Sequence, residues 1–331
     1  MAIEKVPDRY SPTVVQLSAD DAWDISGYKA NSLWRLTLRR LFRQRSAQVG
    51  LVILTFLILT AIFAPVIAPY DPTQVLIGIE DVRRREGPCI HMLGCPTDKP
   101  QHLFGIDGNA RDQFSRIVYG ARVSLMIGFL VVTIAAVIGT TLGAVSAYLG
   151  GWVDNVVMRM LDVVLAFPVL LLAISIMFVF ENRSLTQAMI AIAIVSIPAY
   201  ARVVRSSVLS LRETDYVEAS RALGASDTRI LFGRILPNAL PPLIVLITLG
   251  IAAAILDTAA LSFLGIGAQE PTPEWGSMLG RERNQIFSAP HLVFIPGLAI
   301  SITVLAFNLV GDGLRDALDP RLVHGSGRSN D

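Results

Sequence analysis

Charged side chains are scarce in this chain of 331 residues, because Asp, Glu, Lys and Arg together make up only 17% of it. An ordinary soluble domain carries about 25%. The shortage is concentrated in long windows that hold no charge at all, a pattern typical of transmembrane helices. The formal net charge of +1 also lacks the basic excess of a nucleic-acid-binding protein. The composition therefore predicts a membrane protein that contacts lipid and has no nucleic-acid partner.

Lysine and histidine are rarer still, and their placement argues against two kinds of site. None of the three lysines follows a Gly-x-x-x-x-Gly pattern, so the sequence has no phosphate-binding loop for ATP. If the protein works on ATP, another chain must bind the nucleotide. The four histidines are scattered, and none lies well inside an apolar window (His91, His102, His291 and His324). We therefore expect no catalytic constellation and no resident cofactor in this chain.

The only two cysteines, Cys89 and Cys95, stand in a polar segment between the first two apolar windows. If that segment faces the oxidising exterior, an even cysteine count favours a disulfide between them. A zinc site that includes His91 and His102 is an alternative, although the spacing differs from the usual Cys-x₂₋₄-Cys. Two free thiols are the other alternative. We favour the disulfide and predict no metal.

Six apolar windows approach or exceed the ~20 residues that cross a ~30 Å hydrocarbon layer. They are residues 46–70, 123–153, 163–180, 184–201, 238–266 and 284–311. The sequence thus predicts an all-α, polytopic membrane protein with six transmembrane helices. Prolines inside three of the windows and glycines in the second permit kinks and close helix contacts.

Arginines set the predicted orientation. The arginine clusters before the first window, between the fourth and fifth, and after the sixth fall on one side if six spans alternate, and that side is cytoplasmic. Both termini are then cytoplasmic, the loop 71–120 faces outward, and the loop 206–237 faces the cytoplasm. We divide the chain into a tail with a basic amphipathic interfacial helix (1–45), a membrane domain (46–322) and a second tail (323–331). A soluble surface helix is the alternative for the amphipathic segment.

The polar stretch DYVEASRALGASDTRILFGRILPNALPP lies between the fourth and fifth windows. Asp215 can cap a helix, and Glu218 three residues later completes an arrangement like a capping box. Gly224 ends this helix, because glycine readily takes the left-handed conformation. Ser226 can cap a second helix, which the proline at position 237 limits. An exposed helix pair with no role in the membrane is typical of a docking element for a cytoplasmic partner.

This stretch resembles the EAA loop of ABC importer permeases, whose pattern is Glu-Ala-Ala, three residues, Gly, and a later Leu-Pro. Here Glu218-Ala219-Ser220 precedes Gly224 and Leu236-Pro237, with serine in place of the second alanine. Four more blocks are similar to the dipeptide/oligopeptide/nickel permeases, most of all to the second (C-type) subunit of the pair. These blocks are HLFGIDGNARDQFSRIVYGARVSL, GGWVDNVVMRMLDVVLAFPVLLLAI, LSFLGIGAQEPTPEWGSML and NLVGDGLRDALDPRL.

The resemblance implies a type I ABC importer permease fold, with a cytoplasmic coupling helix, in the bacterial cytoplasmic (inner) membrane. It implies a homologous second permease, two cytoplasmic ATPase subunits or domains that bind ATP and Mg²⁺, and an extracytoplasmic solute-binding protein. The expected solute is a short peptide; nickel complexes or another small solute are alternatives, and an ion-coupled secondary transporter is a further one. The coupling residues that it implies are Asp215, Tyr216, Glu218, Ala219, Ser220, Ala222, Leu223 and Gly224.

Three further positions carry expectations of their own, and two of them leave alternatives open. Asp257 is a carboxylate in an apolar window, where it costs several kcal/mol without a partner or water. It either lines the translocation path or forms a structural contact, and the family commonly has its glutamate one position later, at Thr258. Asp162 is expected to form a local salt link with Arg159. Trp275 belongs either to a re-entrant or gate-side segment or to a membrane-interface anchor.

Overall fold

The computed structural model describes residues 33–180 and 184–318, and within them the chain is helical, with no β-strand. In chain order the helices are α1 (Leu33–Leu41), α2 (Arg45–Ile62), α3 (Ala64–Ile67), α4 (Gln113–Leu149), α5 (Gly151–Leu165), α6 (Val169–Met177), α7 (Leu185–Leu211), α8 (Asp215–Ala222), α9 (Asp227–Ile230), α10 (Leu236–Phe263), α11 (Trp275–Glu282) and α12 (His291–Leu318). The tails predicted at residues 1–30 and 323–331 lie outside the described residues.

Among the described residues, five helical runs are long and apolar enough to cross a membrane: α2, α4, α7, the run Asp227–Phe263, and α12. They correspond to the first, second, fourth, fifth and sixth predicted windows. The third window falls on α5 and α6, which are bent by 90° at the break between them. The predicted all-α, polytopic architecture is confirmed, with six spans if the bent pair forms one of them.

The break between α5 and α6 is a kink of the kind that the proline in the third window permits. Pro168 has no backbone N–H, and its ring disfavours the helical conformation of the residue before it. Accordingly α5 ends at Leu165, and α6 starts directly after Pro168. The window was apolar throughout, so its hydropathy could not reveal the bend.

Helix ends also differ from the window edges. The fourth window was expected to stop at Arg202, but α7 continues to Leu211. The second was expected to start at residue 123, but α4 begins at Gln113, where Asp112 accepts a 2.7 Å hydrogen bond from Ser115 N. A helix does not end where the membrane ends, and polar turns beyond it leave no mark in the hydropathy.

The fifth span absorbs the second helix of the polar stretch. The prediction that Pro237 limits that helix is wrong, because α9 runs through a π-helical turn, Leu231–Ile235, straight into α10. In a π-helical turn each hydrogen bond spans five residues instead of the four of an α-helix. Pro237 lies at the start of α10, directly after this turn, where its missing N–H costs little. The polar stretch is therefore continuous with a membrane helix.

Close packing of α4 against α7 forms the centre of the core. A methyl group at Gly139 would lie 2.7 Å from the carbonyl oxygen of Ile197, and one at Gly143 would overlap that of Ala201. Glycine at these two positions lets the backbones touch, as is common in membrane bundles. The close contacts expected for the glycines of the second window are thus present.

The chain between α3 and α4 forms a long loop (residues 68–112) on the far side of the bundle from α8. It holds a 3₁₀ turn, His91–Leu93, and isolated β-bridges such as Cys89 with His102. At the opposite end, Leu41 of α1 packs with Ala47 and Ala317, and Gln44 donates a 2.7 Å hydrogen bond to Asp316. The first described helix thus packs against the C-terminal end of the last one, α12.

Candidate functional site

In the α8–α9 hairpin (residues 215–230) the N-cap of the first helix is Thr214 and not, as expected, Asp215. Thr214 has the extended backbone of an N-cap (φ −88°, ψ 147°), and its hydroxyl donates to Leu211 O (2.5 Å) instead of capping the helix. Asp215 and Glu218 both fall in the first turn. Their charges there favour the positive end of the helix dipole, so the acids help this end without forming a capping box.

Gly224 ends α8 as expected. Its φ is +78°, in the left-handed region, and no atom lies within 4 Å of where a Cβ would stand. Its N–H donates to Arg221 O (3.0 Å), while the N–H of Ala225 donates to Ser220 O (3.1 Å). These two bonds form a Schellman motif, which satisfies carbonyls that the helix end would leave open. The turn is therefore fixed by backbone geometry and requires glycine.

The hairpin is held by two side chains and presents the others. Val217 and Ile230 are completely buried in the main core. The other side chains of α8 are exposed or half-buried, Tyr216 is 39% exposed, and Leu223 at the tip is 88% exposed. Val217 and Ile230 thus fasten the hairpin to the main core.

Polar contacts fasten the base of the hairpin to its neighbours. Tyr148, near the end of α4, donates a 2.6 Å hydrogen bond to Asp227 of α9. Arg212 donates to Ala147 O (2.9 Å), and Arg205 of α7 makes a two-point contact with the largely buried Asp154 of α5 at 2.5 and 2.6 Å.

Asp162 is not paired with Arg159, the neighbour in sequence. It binds Arg202 of α7, with 2.5 Å between Nη2 and Oδ1. The prediction of a local link was wrong, because the packing of α5 against α7 brings a closer arginine. Both side chains are about half exposed, so this pair contributes little to stability.

Asp257 lies on the edge of α10 between its buried and exposed faces. It is half-buried, with Leu256 beside it 51% exposed, and it has no hydrogen-bond or ion-pair partner in the described part of the chain. The next residue, Thr258, is completely buried. A carboxylate at position 258 would therefore point into this bundle, whereas the one at 257 is available to a group outside it.

The long loop holds the two cysteines. Cys89 and Cys95 are joined by a disulfide, with their Cα atoms 5.4 Å apart. The bridge closes the turn that presents Met92 and Leu93, which are 96% and 82% exposed. His91 turns away from the sulfurs and contacts Lys99 O (2.9 Å). No group of three His, Cys, Asp or Glu side chains suited to a metal occurs in the described segments.

A buried histidine lies beside the disulfide, and its two carboxylate partners were not indicated by the sequence. His102 is 3% exposed, and its Nδ1 and Nε2 contact Asp112 (2.9 Å) and Glu80 (3.2 Å). Burial works against protonation, but the two carboxylates outweigh it and raise the pKa of His102 above its ordinary 6.5. Tyr70 stacks beside the ring and donates to Glu80 (2.9 Å). Its pKa is raised to about 12, first by burial and then by Glu80.

An ion-pair cluster joins the long loop to the segment between α10 and α11. Arg111, only 3% exposed, binds Asp107 (Nε–Oδ2 2.9 Å) and makes a two-point contact with Glu270 (Nη2–Oε1 2.8 Å). Arg281 also pairs with Glu270. A second link, Arg85 to Glu282, measures 2.8 Å. The segments that carry these residues are far apart in sequence, and no local pattern marked them.

Trp275 does not anchor the protein at a membrane interface. It is 1% exposed, packs against Gly120 of α4 and donates to Ile117 O (3.1 Å). Glu274 before it accepts hydrogen bonds from the N–H groups of Gly276 and Ser277 (2.8 and 2.7 Å) and so caps α11. The alternative interpretation, a segment folded back against the bundle, fits this position.

Two protein-family models match the chain. The one described as binding-protein-dependent transport system inner membrane component matches residues 139–324. The one described as N-terminal TM domain of oligopeptide transport permease C matches residues 32–88. Together they match the chain on either side of residues 89–138.

Individual relatives agree with these matches. The chain is 48% identical over 295 residues to the dipeptide transport system permease protein DppC of Alkalihalophilus pseudofirmus, which covers 89% of this chain and 92% of that one. It is 43% identical over 289 residues to the glutathione transport system permease protein GsiD of Pectobacterium atrosepticum, covering 87% and 91%. Among solved structures, the MetNI methionine ABC transporter in an inward-facing conformation is similar at a TM-score of 0.50 and 22% identity. The match covers 62% of this chain and 97% of that one, and it supports the fold alone.

Proposed function

Because the chain belongs to the family of binding-protein-dependent transport system inner membrane components, as a C-type permease of ABC importers, we propose that it carries short peptides inward by ATP-driven alternating access. Family membership and its five to six apolar helices make it a multi-pass inner membrane protein. A permease subunit guides a solute and catalyses no covalent reaction. The names of its relatives, which refer to dipeptides and glutathione, favour peptides over nickel complexes as the solute.

The proposed mechanism rests on the α8–α9 hairpin as the contact with a separate ATPase. Two such ATPase subunits would bind ATP and Mg²⁺, and a homologous permease and an extracytoplasmic binding protein would complete the complex. The single observation that carries this proposal is a rigid, exposed turn at Gly224 whose anchors, Val217 and Ile230, are completely buried. ATP must favour one conformation over the other for any shift to occur. We propose that the hairpin communicates this preference to the bundle. Its coupling residues are Asp215, Tyr216, Glu218, Ala219, Ser220, Ala222, Leu223 and Gly224.

For Asp257 we propose a position beside the translocation path. Its carboxylate has no partner in the described chain and borders an exposed helix face, so it is free to meet the second permease or the amino group of a peptide. The orientation with both termini in the cytoplasm is part of the same proposal, because it places the hairpin with the ATPases and the long loop with the binding protein.

The test compares two glycines in the intact complex, reconstituted in vesicles. Gly224→Val forces a β-branched residue into the left-handed region and distorts the turn. Gly78→Val does the same at φ +88°, also with open space around the Cβ, but in the long loop. We expect peptide uptake and peptide-stimulated ATP hydrolysis to fall about tenfold in the first variant, because the turn that contacts the ATPase is displaced.

The two variants should therefore differ, with Gly78→Val close to the unaltered protein. Equal activity of the Gly224→Val complex, with a normal complement of ATPase subunits, would contradict the coupling role. Uptake of a labelled dipeptide that is not inhibited by nickel salts would support a peptide as the solute. Uptake that persists without ATP would contradict the ABC mechanism as a whole.

A further inference from the structure

Arg122 stands at one end of an exposed apolar stripe on α4. It lies on α4 and is exposed, and it has no hydrogen-bond or ion-pair partner within residues 33–180 and 184–318. One and two turns further along the same face come Met126 (48% exposed), Phe129 (46%) and Leu130 (43%). A guanidinium beside hydrocarbon must be neutralised or hydrated, because a lone charge there is costly.

The length of α4 from Arg122 to its far end matches the thickness of a bilayer. From Arg122 to the end of α4 at Leu149 the helix rises about 40 Å at ~1.5 Å per residue. This equals the ~40–45 Å thickness of a bilayer including both headgroup regions. On the neighbouring helix, Ile62, the last residue of α2, lines the same groove as Arg122.

A groove leads from Arg122 into the membrane between α2 and α4. Its volume is about 480 Å³, and its lining combines one cation with apolar walls (Ile58, Ala61, Ile62, Arg122, Leu125 and Phe129). No carboxylate lines it, so nothing in the lining competes for the guanidinium. A cation at the headgroup level above an apolar channel complements a molecule with an anionic head and a hydrocarbon tail.

We propose that this groove binds a phospholipid of the surrounding leaflet, with its phosphate on Arg122 and an acyl chain between Ile58 and Phe129. The recognition is the same that basic pockets between transmembrane helices offer to lipid headgroups. The site depends only on how the helices sit in the bilayer, and it is independent of the solute and of the hairpin's role. A lipid held there would fill the gap between α2 and the bundle.

The experiment uses native mass spectrometry of the intact complex, extracted from membranes and then titrated with phosphatidylglycerol. The number of retained lipids and the subunit composition are read from the same spectra. Arg122→Gln removes the charge, Arg122→Lys keeps it, and Ala61→Phe places a ring in the groove. Arg84→Gln removes an exposed arginine of the long loop and controls for net charge.

We expect Arg122→Gln to weaken retention of one phosphatidylglycerol about fivefold, the effect of one basic residue near an anionic lipid surface. Ala61→Phe should weaken it as well, while Arg122→Lys and Arg84→Gln keep it. Diacylglycerol with the same chains should not be retained, and an excess of inorganic phosphate should not displace the lipid. If Arg122 instead bound free phosphate, the excess of inorganic phosphate would displace the lipid, and the assignment of the groove to a phospholipid would be wrong.

Two other results would also overturn the proposal. One is an unchanged lipid count in both Arg122→Gln and Ala61→Phe. The other is a loss of the second permease, and not of lipid, from the Arg122→Gln complex, since a protein surface would then cover the groove. Should Ala61→Phe fail to assemble, the comparison of Arg122→Gln with Arg122→Lys decides the question alone, because neither changes the packing of α2 on α4.

Discussion

The ion-pair cluster gives the sharpest prediction about the side of the protein that carries the long loop. Arg111→Gln removes the contacts with both Asp107 and Glu270. Removing one member of a buried ion pair typically costs 3–5 kcal/mol. Here Asp107 keeps hydrogen bonds from the N–H groups of Asn109 and residue 111 (2.9 and 2.8 Å), and Glu270 is 36% exposed, so we take the low end, about 3 kcal/mol.

The loss should be local, because the cluster joins two loops and leaves the helix core untouched. Hydrogen exchange by mass spectrometry on the purified complex reports the opening of each segment separately. An opening free energy lower by about 3 kcal/mol corresponds to exchange roughly 150-fold faster across the long loop. Amides in the centres of α4 and α7 should keep their rates.

Two comparisons make this prediction refutable. Glu270→Gln should raise the exchange rate much less, because its carboxylate is partly in water and Arg111 retains Asp107. Arg84→Gln, an exposed arginine of the same loop, should have no effect. If Arg111→Gln and Arg84→Gln gave the same exchange in residues 68–112, the cluster would not hold the loop and the reasoning would be wrong.

Three further predictions concern other parts of the chain. Because the pKa of His102 is raised, its protonation stabilises the loop fully below pH ~6.5, and this contribution is lost as the pH rises through the raised value. The protection of the loop amides, taken as the unfolded-chain exchange rate at each pH divided by the measured rate, should therefore fall over that range, and His102→Gln should remove this fall. Gly143→Ala forces α4 away from Ala201 and should cost about 3 kcal/mol, seen as a lower melting temperature of the detergent-solubilised complex, and an unchanged melting temperature would contradict the close contact. Leu223→Asp should leave that melting temperature unchanged but weaken retention of the ATPase subunits by about 2 kcal/mol, measured in pull-down titrations, whereas full retention would argue against Leu223 as a contact.

Much of the α8–α9 hairpin could be read from local sequence, because its features act over a few residues. The positive φ at Gly224 depends on that residue and on the Schellman hydrogen bonds around it, so a glycine in a polar stretch was enough to predict the end of the helix. The N-cap of α8 at Thr214 was not predicted, because Asp215 is an equally good capping residue in the sequence. The continuation through Pro237 was missed as well, because a π-helical turn that accommodates a proline is decided by the packing of Ile230 and Ile235 in the core.

By itself the sequence determined that this is a membrane-spanning, all-helical permease with a polar hairpin between its fourth and fifth apolar windows. Hydropathy and the residues that a turn requires are local properties of the sequence, so they can be read without knowledge of the fold. Only the tertiary structure decided which charges meet: Arg202, not Arg159, for Asp162, and Glu270 for Arg111 across 159 positions. Ion pairs form between groups that packing brings within a few ångströms, and distance along the chain does not predict that proximity.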